Sequence, residues 1–81
     1  MKLPRDISGD ELTKALKALG YQVTRQTGSH MRVTTTEGGE HHVTIPRHDP
    51  LRLGTFAGIL DDVATHFGIN RAELLARIKI N

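Results

Sequence analysis

Residues 21–46 carry three short runs in which apolar and polar side chains alternate, and the breaks between the runs are only a few residues long. Few folds satisfy both conditions. Alternation has the period of a half-buried strand. Connections this short join antiparallel neighbours, because a parallel crossover needs about a dozen residues or more. In the first run, through Gln26, Tyr21 and Val23 share a side opposite Gln22 and Thr24, and Thr27-Gly28-Ser29 turns the chain. In the second, Met31, Val33 and Thr35 oppose His30, Arg32 and Thr34, and Thr36-Glu37-Gly38-Gly39-Glu40 forms the next turn. In the third, His41, Val43 and Ile45 oppose His42 and Thr44, and Pro46 ends the strand. The expectation is a three-stranded meander with one apolar face and one polar face.

An apolar sheet face needs a cover, and the flanking segments can supply it. Ser8-Gly9-Asp10-Glu11 has capping-box spacing, with Ile7 and Leu12 at staple positions. Leu12, Ala15, Leu16 and Leu19 then keep a helical period, Gly20 stops it, and Lys14 and Lys17 point away from the stripe. After a loop from Arg47 to Gly54, Phe56, Ile59, Leu60, Val63 and Phe67 form a second stripe that ends at Gly68. Asn70 and Glu73 cap a short third helix through Leu74, Leu75 and Ile78, with Ile69 and Leu74 as a second staple. The order is α-β-β-β-α-α, an α+β fold whose helices cover one face of a three-stranded antiparallel sheet. At 81 residues this is a single domain, 1–81, with one small core.

Several function classes drop out. The chain has no cysteine, which removes disulfides and thiolate metal sites. His41 and His42 are adjacent in a strand and so face opposite ways. His42 and His30 could offer two ligands, but no acid or Cys stands at a spacing that completes a site, so no metal and no cofactor is expected. Asp61 and Asp62 splay apart on a helix, and His66 lies four residues after Asp62, where a surface hydrogen bond is expected. No apolar run approaches the roughly 20 residues of a membrane span. Met1-Lys2-Leu3-Pro4-Arg5 lacks the apolar core of a secretory signal, so the expected location is the cytoplasm. The formal charge is +2, and the first helix and the sheet are the more basic part, which permits a polyanionic partner. Tyr21, Phe56 and Phe67 all fall on apolar faces, leaving no aromatic platform for base stacking.

What remains is His30, in Thr27-Gly28-Ser29-His30-Met31-Arg32-Val33. Gly-Ser-His-Met is also a tag-removal scar, but here it lies in mid-chain and runs straight into a strand pattern, as native sequence does. Taken alone, His30 reads either as a solvent-exposed strand residue or as a proton-transfer group. The motifs around it decide between these. Leu3-Pro4 ahead of the capped helix, Leu16-Lys17-Ala18-Leu19-Gly20-Tyr21, Gly28-Ser29-His30, Val43-Thr44-Ile45-Pro46-Arg47-His48 and Leu53-Gly54-Thr55-Phe56-Ala57-Gly58-Ile59-Leu60 occur in an order that resembles the HicA family of bacterial toxins. Members are small RNA-cleaving proteins paired with a HicB antitoxin. The resemblance runs from about Leu3 to Leu75, and one departure stands out. Family members often have a shorter helix after the Ile-Leu pair, and here Asp61-Asp62-Val63-Ala64-Thr65-His66-Phe67 intervenes before Gly68-Ile69-Asn70, longer by about one helical turn.

The resemblance implies a double-stranded-RNA-binding-domain-like fold and a toxin of a type II toxin–antitoxin system. It also implies a metal-independent endoribonuclease, an mRNA interferase, with His30 as the catalytic residue. The chemistry suits a lone imidazole. RNA carries its own nucleophile, the 2′-hydroxyl, and imidazole takes and gives protons near neutrality. Arg32, two residues along the same face, is the candidate to steady phosphate charge. His48 is a candidate complementary acid or phosphate contact, or else a plain loop histidine beside Asp49, and Arg47 a candidate backbone contact. Lys14 and Lys17 are candidates for phosphate contact from the first helix, set against simple solvation. The expected partners are mRNA and a HicB-type antitoxin covering His30. A non-catalytic RNA-binding adaptor on the same fold is the competing reading, with a protein-interaction module behind it.

Overall fold

The computed structural model describes residue 4 and residues 6–80, so the start of the resemblance at Leu3 and most of the basic lead lie outside the described residues. The order is α1 (Gly9–Leu16), a single 3-10 turn (Lys17–Leu19), β1 (Gln22–Thr27), β2 (His30–Thr35), β3 (His41–Pro46), α2 (Leu53–Phe67) and α3 (Arg71–Ile78). Strands pair antiparallel in the order β1-β2-β3. This is the expected α+β, double-stranded-RNA-binding-domain-like layout.

The helix ends are set by the residues expected to set them. Ser8 Oγ accepts from the Glu11 N–H and Glu11 Oε1 accepts from the Ser8 N–H, both at 3.0 Å, which satisfies two orphan donors of the first turn reciprocally. The 3-10 turn closes on Gly20 at φ +85°, a left-handed conformation that a Cβ would strain. Asn70 Oδ1 accepts from the Glu73 N–H at 2.8 Å to start α3. Leu53 and Gly54, expected in the loop, form instead the first turn of α2, because Arg52 in an extended conformation already serves as its N-cap.

All helices pack on one side of the sheet. Leu12, Leu16, Tyr21, Val33, Ile45, Leu60, Val63 and Leu74 are wholly buried there. Thr35 joins them with its hydroxyl satisfied, donating to the Leu19 carbonyl at 2.8 Å and accepting from the Glu37 N–H at 3.1 Å. One sequence expectation needs correcting. Val23 pairs with the core residue Val33 and faces the helical side, yet it is 43% exposed, and every residue of β1 is exposed. The helices cover β2 and β3 but leave β1 bare, so alternation gives Val23 its side but not its cover. Among the described residues, no helix is long and apolar enough to cross a membrane.

Candidate active site

β1 and β2 are joined by a two-residue turn, Gly28-Ser29, with Gly28 at φ +55°. His30 is therefore the first paired residue of β2, opposite Thr27 on one side and Pro46 on the other. Met31, Val33 and Thr35 are buried in the helical face, so His30 and Arg32 lie on the solvent face, two residues apart and roughly 7 Å along the strand. Both are exposed. The sheet's hydrogen bonding continues past the strand end, where the Arg47 N–H donates to the Ser29 carbonyl at 2.6 Å, directly before His30. The imidazole thus hangs from a paired backbone and not from a free loop.

The same end of the sheet is tied to α1. The Gly9 N–H donates to the His48 carbonyl at 2.9 Å, and a Cβ on Gly9 would overlap the Pro46 carbonyl, so only glycine allows this approach. Arg47 reaches back to Asp10 with a two-point contact, Nε to Oδ1 at 3.0 Å and Nη2 to Oδ2 at 3.2 Å. That bond, and then the Asp10 charge, hold the Arg47 proton more firmly than usual. The Arg47 backbone thus lies beside Ser29, with its guanidinium already holding a carboxylate, while His48 is tied through its carbonyl to the start of α1. Lys14 and Lys17 are exposed on the helical layer. Lys14 lines a groove with Ile78 and Lys79 of the α3 end, and Lys17 lines one with Gly20 and Gln22 at the start of β1. The structure does not gather these lysines with His30.

A model of the HicA toxin of bacterial toxin–antitoxin systems matches residues 9–64, more than two thirds of the chain. The chain belongs to the HicA toxin family. No curated protein and no solved structure gave a match. The family match spans α1, the whole sheet and most of α2, and so takes in His30 and its surroundings. It stops at Ala64 inside α2, within the stretch where this HicA-family chain departs from the usual pattern.

That stretch builds a cluster at the sheet end remote from His30. The Tyr21 hydroxyl is 2.7 Å from His41 Nδ1, and His41 Nε2 is 3.2 Å from Asp62 Oδ1. Burial, and then the nearby Asp62 charge, push the Tyr21 phenol up to about 12, and because the Asp62 carboxylate can only accept, His41 presents Nε2–H to it and the Tyr21 hydroxyl donates to Nδ1. His66 stacks on His41 with ring centroids 4.4 Å apart and donates from Nε2 to the Glu37 carbonyl at 2.9 Å. Asp62 thus pairs with His41 across the fold, where an i,i+4 contact to His66 was expected. His42 lies on the opposite face, against Thr34 Oγ1 and Glu40, as alternation requires. Among the described residues, no three His, Asp or Glu side chains group to hold a metal ion.

Sequence reasoning missed one exposed cation on the His30 face. The β1–β2 register pairs Val23 with Val33 and then Arg25 with Arg32, leaving Thr24 as the extra residue of a β-bulge. Thr24 Oγ1 fills the irregularity by bonding the Arg32 carbonyl at 3.3 Å and Thr34 Oγ1 at 2.8 Å. Plain alternation from Tyr21 assigns Arg25 to the helical side. The bulge turns it to the solvent face beside Arg32, and no residue in Tyr21–Thr27 announces that.

Proposed function

We propose that this HicA-family toxin is a metal-independent endoribonuclease acting on mRNA in the cytoplasm, with His30 as its general acid/base. The observation that carries the reading is the exposed His30 imidazole, fixed at the start of β2 with Arg32 on the same face. His30 takes the proton of an RNA 2′-hydroxyl, whose oxygen then bonds to the adjacent phosphorus. The bond from phosphorus to the 5′ oxygen breaks, and that oxygen takes up a proton, leaving a 2′,3′-cyclic phosphate and a 5′ hydroxyl. Because the substrate supplies the nucleophile, no metal-activated water is called for. Arg32 steadies the charge gathering on the phosphoryl oxygens. His48, in the segment held against α1, is the candidate donor to the leaving oxygen. Arg47, Lys14 and Lys17 act on backbone phosphates outside the reacting centre. The silencing partner is a HicB-type antitoxin that covers His30.

His30→Ala should abolish growth arrest and RNA cleavage while leaving the circular dichroism spectrum and melting temperature unchanged. A folded variant that still arrests growth at the native level would overturn the assignment and favour an RNA-binding adaptor. A single 2′-deoxy nucleotide at the cleavage position should block cutting there.

A further inference from the structure

Arg25 and Arg32 stand directly opposite each other on neighbouring strands, on the solvent face, and both are exposed. Like charges in that position repel and weaken a sheet. Neither forms an ion pair with a carboxylate among the described residues, whereas Arg47, Arg71 and Arg77 each do. Thr44 completes the row from β3, opposite Arg32. His30 occupies the next row on the same face, two residues away. A row of two guanidiniums and a hydroxyl offers many hydrogen-bond donors and no counter-charge.

We propose that Arg25 and Arg32 together grip one backbone phosphate of a single-stranded RNA, the one whose phosphodiester is set at His30. The proposal rests on the cleavage reading above and adds to it a substrate-binding residue, Arg25, and a path along the solvent face of the sheet. Guanidinium forks match phosphate oxygens in pairs, and two of them facing one phosphate replace mutual repulsion with shared attraction. The chemistry of the face favours a phosphate chain over a protein partner. Its strand residues are hydroxyls, amides, imidazoles and guanidiniums, with Pro46 at the margin as the one apolar side chain and the Glu40 carboxylate held by His42 at the end away from His30, whereas protein interfaces centre on buried apolar and aromatic anchors. No Phe, Tyr or Trp lies on the face, so the grip is on the backbone and not on stacked bases. Contacts of this kind fix the register of the nucleic acid without reading its sequence.

The test uses the His30→Ala protein, which binds without turning over, and a short fluorescent single-stranded RNA of mixed sequence, followed by anisotropy across a salt series. Adding Arg25→Gln should weaken binding about tenfold, the worth of a charge-assisted contact. It should also lower the salt slope by about 0.7, the value for one phosphate on a single strand. Arg77→Gln, the same charge change on an exposed α3 cation that pairs with Glu73, should leave both within error. The melting temperature of Arg25→Gln should hold or rise, since a like-charge contact is removed. Arg25→Lys should keep the salt slope while losing part of the affinity. Unchanged affinity and slope in Arg25→Gln overturn the proposal, as does loss of antitoxin binding with RNA binding intact, which would assign the pair to a protein. With His30 restored, Arg25→Gln should raise KM more than it lowers kcat. A wild-type chain that binds RNA through Arg25 but never cuts it removes the cleavage reading alone.

Discussion

Tyr21→Phe should weaken the protein at neutral pH and strengthen it, relative to wild type, in strong alkali. The ring is wholly buried, packed edge-on to His41 with centroids 6.0 Å apart and to Phe67 at 6.3 Å. Phenylalanine keeps those contacts and loses only the hydroxyl that donates to His41 Nδ1 at 2.7 Å. A buried hydrogen bond whose acceptor is left short of a donor is worth about 1–2 kcal/mol, so the variant should be less stable by that amount at pH 7. The alkaline limb has the opposite sign. The phenol is raised from 10 to about 12, so the folded chain holds a proton that the unfolded chain releases. That contribution is whole below pH 10 and lost as pH rises through 12; two units at about 1.4 kcal/mol each make about 3 kcal/mol. Set against the neutral-pH deficit, the two stability curves should cross near pH ~11. Urea midpoints for both proteins across this range give the difference directly, because every other titrating group is common to them. Tyr21 is the only tyrosine, so tyrosinate absorbance follows one group. Parallel stability curves, or a phenol titrating at its ordinary value, would refute the assignment of the hydroxyl as a buried donor.

Three further outcomes are expected. Gly9→Ala drives a Cβ into the Pro46 carbonyl, which is backbone and does not yield, so the unfolding free energy from urea melts should fall by about 1–3 kcal/mol and RNA turnover should fall with it. Thr35→Val keeps shape but strands the Leu19 carbonyl and the Glu37 N–H, and calorimetry should show a loss of about 1–3 kcal/mol. Asp10→Asn removes an exposed ion pair with Arg47, so the melting temperature should shift only slightly in low salt and hardly at all in high salt.

The fold was legible because its signals are local and agree with one another. Caps at Ser8 and Asn70, stops at Gly20 and Gly68, and alternation in His30–Thr35 and His41–Pro46 each depend on a few neighbouring residues. His30 was legible from its motif, and its face from the strand period. Arg25 was not, since the bulge that turns it outward is settled by pairing with β2 and leaves no mark in composition. The Arg47–Asp10 contact and the Tyr21–His41–Asp62 chain were hidden for a related reason. They join residues 37, 20 and 21 positions apart, and only the closed fold brings such partners together. Val23 shows the converse case, a correct side with no helix above it.

The bulge also separates length from register in this hairpin. The β1–β2 ladder pairs Gln22 with Thr34 and Val23 with Val33 before Thr24, and Arg25 with Arg32, Gln26 with Met31 and Thr27 with His30 after it. Delete Thr24 and the same partners remain, now in an uninterrupted ladder. A one-residue loss that elsewhere would slide a strand's apolar set out of the core passes here without moving a single pairing. β2 has no such slack, being held on both edges. The outer strand is therefore where this domain can absorb an indel, and the His30 end of the sheet is insulated from it.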